Sequence, residues 1–177
     1  MSFAIGSACP DFRGLLGTDG KEHALADFAV KPVLVVIVSC NHCPYVMAYE
    51  ERIVQLSKTF QPKGAAFIAI NANDAARYPA DGMPKMIERA KDRGFDFPYV
   101  RDDSQDVARA LGARFTPEVF VFDHERKLRY HGRIDDNHAS AASVKSRDLE
   151  NALVALLAGK TPAVAETQPV GCSVKWK

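Results

Sequence analysis

The chain has 177 residues, 47% hydrophobic and 25% charged, with 23 Lys and Arg against 22 Asp and Glu for a net charge of +1. That length suits one domain, which buries roughly 70% of the surface its unfolded chain exposes and needs no disulfide staples. Ordinary composition excludes disorder, balanced charge excludes a nucleic-acid or membrane-surface footprint, and no apolar run, residues 33–38 included, is long enough to span a bilayer.

The amino terminus has neither the basic nor the apolar region of a secretory signal, so the expected location is cytoplasmic. Residues 11–28 hold Gly14, Gly17 and Gly20 among short apolar stretches, and Thr18-Asp19-Gly20 signals a hairpin turn, hence an amino-terminal β-ribbon. Residues 33–38 are wholly apolar and mostly β-branched, as a buried parallel strand is. From Pro44 the period changes: Val46, Tyr49, Ile53, Leu56 and Phe60 mark an amphipathic helix ended by Gln61-Pro62-Lys63-Gly64. Residues 65–70 form a second buried run, completing a βαβ unit. Residues 73–84 read as a connection near one end of the sheet.

Residues 84–93 read as a short helix stopped by Gly94, 97–100 as a short strand, and 104–111 as a helix capped by Asp103 or Ser104 and closed by Gly112. Residues 119–122 and 128–130 read as an antiparallel hairpin around Asp123-His124-Glu125-Arg126, its second strand half exposed and at an edge. Leu149, Ala152, Leu153 and Leu156 mark a last helix closed by Gly159. These elements predict an α/β domain over residues 1–160, a mixed central sheet with helices on both faces. Residues 161–177 form a tail without periodicity, either exposed or packed on the domain. Its apolar groups, among them the single tryptophan, Trp176, favour packing.

Four cysteines are no disulfide framework, but Cys40-Asn41-His42-Cys43 falls at the junction of a buried strand and an amphipathic helix. A helix amino terminus stabilises a thiolate, and two intervening residues let both sulfurs meet in a small disulfide ring. The expected arrangement puts Cys40 at the helix start, as the more acidic and more exposed thiol, with Cys43 one turn in. His42, if cationic, would favour the thiolate; as a loop histidine it would do nothing. A zinc site needs two further ligands and no second close pair supplies them, so no metal is expected.

Ala8-Cys9-Pro10-Asp11-Phe12 is similar to the opening of the AhpC/TSA and redoxin families, whose members have a thioredoxin-like fold. Cys40-Asn41-His42-Cys43-Pro44-Tyr45-Val46, Thr116-Pro117-Glu118-Val119-Phe120-Val121-Phe122-Asp123, Gly132-Arg133-Ile134-Asp135-Asp136 and Gly171-Cys172-Ser173-Val174-Lys175-Trp176 resemble the peroxiredoxin-like family of bacterial thioredoxin-fold proteins. The resemblance implies a three-layer sandwich, a redox-active pair at Cys40 and Cys43, and a cis peptide at Thr116-Pro117. Asn41, His42, Thr116 and Pro117 then shape a substrate-docking edge with which a strand could pair.

Peroxidase sites of this superfamily follow Pro-x-x-x-Thr/Ser-x-x-Cys. Against Cys43 those positions hold Val36 and Cys40, and against Cys40 they hold Val33 and Ile37, so the pattern is absent. The reading favoured is therefore a thiol–disulfide oxidoreductase in which Cys40 attacks and Cys43 resolves. It needs no cofactor; its partners would be a disulfide-containing protein or small thiol substrate and a reductant such as thioredoxin or glutathione, with no nucleic acid and no membrane. The alternatives are a peroxiredoxin-like antioxidant peroxidase and a metal-binding module using both thiolates and a histidine for copper or zinc. Cys172 is either a third redox thiol, resolving or guarding the pair, or a buried inert cysteine anchoring the tail.

Overall fold

Two seven-residue strands without a polar residue until their last position set the centre of the molecule: β3 (Val33–Ser39) and β4 (Ala65–Asn71), every residue buried. The computed structural model describes residues 3–177. β3 and β4 run parallel in register from Val33↔Ala65 to Ser39↔Asn71, joined by helix α1 (Pro44–Phe60). β5 (Tyr99–Arg101) adds parallel to β4, after helix α2 (Met83–Arg93). On the other side of β3 lies β7 (Glu118–Phe122), antiparallel to it, and then β8 (Leu128–Gly132), antiparallel to β7, so the five-stranded order is β5-β4-β3-β7-β8. The half-exposed second hairpin strand is therefore the edge strand, as its alternation predicts.

The expected ribbon is present as β1 (Leu15–Leu16) paired with β2 (Glu22–His23). Helix α3 is only Asp106–Ala110, shorter than the sequence suggests. Its N-cap position is Gln105, in the left-handed region at φ 67°, but Ser104 Oγ accepts the first helical amide, that of Asp106, at 3.2 Å, and Asp102 accepts the Ala108 amide at 2.9 Å. Two short elements complete the chain, β6 (Phe115–Thr116) and β9 (Cys172–Ser173), with α4 (Asp148–Leu157) between β8 and β9.

Because side chains alternate along β3, the sheet has two cores. Val33, Val35 and Ile37 pack against α1, α2 and α4 through Tyr49, Ile53, Met86, Leu149 and Leu153. Leu34, Val36 and Val38 face the opposite layer, made of α3, Phe12 and Phe28 of the amino-terminal segment, and Val174 of the tail. The result is the thioredoxin-like three-layer α/β arrangement, with one layer short of helix and completed by both chain ends. No helix among the described residues is long and apolar enough to cross a membrane.

The tail is not a simple surface extension. His131 donates to the Ala165 carbonyl at 2.9 Å and accepts from the Thr167 amide at 3.0 Å, covering the β8 edge, and β9 pairs antiparallel with β6. Removing the side chain of fully buried Ile68 in β4 leaves a cavity on the short-helix side of the sheet. We expect Ile68→Ala to lower unfolding stability by about 2–5 kcal/mol in urea denaturation, with an unchanged m-value.

Candidate active site

Strand β3 ends at Ser39, the chain turns through Cys40, Asn41 and His42, and α1 begins at Pro44. Pro44 at the first helical position suits its missing N–H. Cys43 is therefore the N-cap, its carbonyl accepting the Met47 amide at 3.0 Å, while Cys40 stands three residues before that cap. This corrects the expectation that Cys40 would begin the helix and be the exposed thiol. Both cysteines are buried, with relative exposures of 2% for Cys40 and 0% for Cys43. No disulfide is formed.

Three thiols meet here. The Cys43 and Cys172 sulfurs lie 2.7 Å apart although 129 positions separate them in the chain. Cys40 Sγ lies 3.3 Å from Thr116 Oγ1, and Cys43 Sγ 3.2 Å from the Thr116 carbonyl oxygen. The Cys43 pKa falls to about 4: the Cys40 thiol donates to its sulfur, burial opposes, and the Cys172 thiol with the Val46 and Cys172 backbone amides adds to the lowering. The Thr116 carbonyl favours the protonated thiol, and these donors outweigh it. Cys40 moves the other way, because its proton is held against the Cys43 sulfur and because it is buried. Burial, then the bond with Cys43, pushes Cys172 up to about 11. Electrostatically this is one thiolate at a helix amino terminus between two protonated thiols. Cys9 stands apart, packed in the core on the other face of the sheet, and burial pushes it up to about 12.

The Thr116–Pro117 peptide is cis, as the resemblance implies. Thr116 pairs in register with Cys172, and Phe115 with Ser173, so the edge predicted for docking carries the tail. Asn41 faces inward and not toward a docking surface: it is buried, donates to the Ala80 carbonyl at 2.8 Å and accepts from the Tyr99 hydroxyl at 2.9 Å. His42 Nδ1 lies 2.5 Å from Asp81 Oδ2, off hydrogen-bond alignment, and its ring stacks on Tyr78 with centroids 5.3 Å apart.

Asp81 is the group that reading the sequence missed. The connection at residues 73–84 is part of the site, because its turn Pro79–Asp81 buries the Asp81 carboxylate completely. That carboxylate accepts the Asn41 amide at 2.6 Å, Asn71 Nδ2 at 3.1 Å and Asn73 Nδ2 at 3.0 Å. Arg101 donates to the Asp81 and Asn73 carbonyls, fixing the turn from β5. The available signal was the polar group Asn71, Asn73 and Asp74 placed directly after a buried apolar strand. Ligand atoms of Cys40, His42 and Asp81 lie within 4.8 Å of one another. The oxygens of Asp81 are already committed to amide donors, which leaves a metal a poor claim on them.

A redoxin family model matches residues 4–153. The thiol–disulfide oxidoreductase ResA of Geobacillus thermodenitrificans is 30% identical over 128 residues, 71% of this chain and 67% of that protein. A crystal structure of a hypothetical protein from Sinorhizobium meliloti is 35% identical, with a TM-score of 0.94 over 100% of this chain and 97% of that one. An uncharacterised conserved protein from Geobacillus kaustophilus is 37% identical, with a TM-score of 0.93 over 99% of this chain and 93% of that one. The match to the Sinorhizobium protein runs through the tail that closes the site. On the match over residues 4–153, most of its length, the chain belongs to the redoxin family.

Proposed function

We propose that the protein is a thiol–disulfide oxidoreductase in which Cys43 attacks and Cys40 resolves, the reverse of the order read from the sequence. Its redoxin membership gives the coarse reading, a thioredoxin-like redox function. The position of Cys43 as N-cap of a 17-residue helix, with thiols on both sides, supports the finer one. The Cys43 thiolate attacks one sulfur of a substrate disulfide, and the other sulfur leaves as a thiolate that takes up a proton. Cys40, losing its proton, then attacks Cys43 Sγ and releases the second substrate thiol. Two electrons pass to the substrate, and a Cys40–Cys43 disulfide remains for a thiol reductant, such as thioredoxin or glutathione, to reopen. Cys172 is close enough to serve as a second resolving thiol.

Within the redoxin family we place the chain in the narrower peroxiredoxin-like group, on its Cys40–Val46 and Gly171–Trp176 motifs, and we place its work in a reducing compartment. The helix-capping position of Cys43 also favours a second reading, peroxide reduction. There the thiolate attacks one peroxide oxygen and becomes a sulfenic acid, the O–O bond breaks and the other oxygen leaves, protonated, as water or alcohol, and Cys40 or Cys172 then closes a disulfide with loss of water. Turnover of a small disulfide against hydrogen peroxide separates the two readings. We expect the disulfide to be the faster substrate, and Cys43→Ser to lower its turnover by about a thousandfold or more. Cys40→Ser combined with Cys172→Ser, which leaves neither resolving thiol, should accumulate a mixed disulfide at Cys43, seen by peptide mass. Accumulation at Cys40 in Cys43→Ser would restore the opposite order.

A depressed thiol pKa also makes stability depend on pH. The folded-state value of about 4 lies below the unfolded cysteine value, so the thiolate's contribution is complete above roughly pH 8.5 and is lost as pH falls toward the folded value. Reduced protein should therefore show thiolate absorbance at neutral pH that titrates away only in acid, and unfolding free energy should decline over the same window. Cys43→Ser should abolish the absorbance, and Cys172→Ala should raise its midpoint by removing one donor.

A further inference from the structure

We propose that the β6 edge is a docking strand for an extended Gly-Cys segment of a polypeptide disulfide, and that the chain's own Gly171-Cys172 holds that place until a substrate displaces it. This rests on the exchange reading of Cys43. Cys172 pairs opposite Thr116 and puts its sulfur 2.7 Å from Cys43 Sγ, where the sulfur under attack has to be. Cys43 is sealed beneath it, and of the three thiols only Cys172 is partly exposed. Any substrate that reaches Cys43 must first take the tail's seat.

That seat reads the residue before the cysteine. A Cβ on Gly171 would stand 2.1 Å from the Thr116 carbonyl oxygen and 2.7 Å from its carbon. Those atoms are backbone of β6 and cannot swing aside, so a strand entering in the same register needs glycine there. Anchoring the tail does not need a thiol at all. Val174 is buried and donates to the Arg114 carbonyl at 3.0 Å, the Lys175 carbonyl accepts the Asp74 amide at 2.8 Å, and the Lys175 amide donates to Asn73 Oδ1 at 2.8 Å. Beyond them Arg109 sits 4.5 Å over the Trp176 ring. Lys175 and Trp176 themselves are only half-buried, which suits a strand that leaves and returns. Once the tail is displaced, the Cys43 thiolate attacks the substrate cysteine's sulfur, its partner sulfur departs as a thiolate, and Cys40 releases the Gly-Cys thiol. The tail then reseats.

The test uses full-length reduced protein and two synthetic peptides with activated pyridyl disulfides, identical except for Gly or Val before the cysteine. Release of pyridine thione gives the rate, with Gly171→Val and Trp176→Ala as variants that unseat the tail and thermal melts confirming that each is folded. We expect the Gly-Cys peptide to react roughly tenfold or more faster than its Val-Cys twin in the wild type. Both peptides should react faster with either variant than with the wild type; should Gly171→Val fail to fold, Trp176→Ala carries the comparison. Equal rates for the two peptides, or no acceleration in a folded variant, overturns the inference, even in a protein that turns over small disulfides. A protein inert toward every disulfide overturns the exchange reading and this inference with it.

Discussion

A thiolate buried at relative exposure near zero needs donors, and supplying them to Cys43 organises the whole end of the sheet. The helix contributes its amino-terminal amides only because α1 starts at Pro44 and leaves Cys43 at the cap. The Cys40 thiol arrives from the end of β3, and the Cys172 thiol and amide arrive from the tail. No single element could provide this set. A helix amino terminus alone would leave the sulfur exposed, and burial alone would keep it protonated.

The second constraint is the carboxylate of Asp81, buried one layer behind the pair. A buried carboxylate is costly unless its oxygens are hydrogen-bonded, and three amide donors from Asn41, Asn71 and Asn73 meet that need. In doing so they tie the Cys40–Cys43 turn to β4 and to the 73–84 segment. Asn73 joins this network to the tail by accepting the Lys175 amide at 2.8 Å, and Gln105 bonds both the Ala72 and Lys175 carbonyls. The order of the Cys40–Cys43 turn and the seating of the tail therefore share the same polar residues. A negative charge close to Cys40 also works with burial to hold that thiol protonated, which sharpens the contrast with Cys43.

Much of the molecule follows from local pattern. The unbroken apolar runs at β3 and β4, the 3.6-residue period of α1 and the turn between β7 and β8 each carry their structure within a few residues, because burial on two faces, on one face, or on neither leaves a distinct spacing. The cysteine pair was legible for the same reason, standing where one such pattern ends and the next begins. Boundaries were less legible. Whether α1 starts at Cys40 or at Pro44 depends on which amides are left unpaired, and that difference of one turn exchanges the acidic and the protonated cysteine.

Sequence by itself determined the α/β class, the strand–helix junction and the Cys40–Cys43 pair, all consequences of residue type at short separation, while the edge at Thr116–Pro117 came from the family resemblance. Only the tertiary structure decided that Cys43 is the capping thiolate, that Asp81 lies buried behind it and that Cys172 closes the site from 129 positions away. Those facts depend on where a buried charge finds its donors, and donors are chosen by distance in space, on which separation along the chain places no constraint.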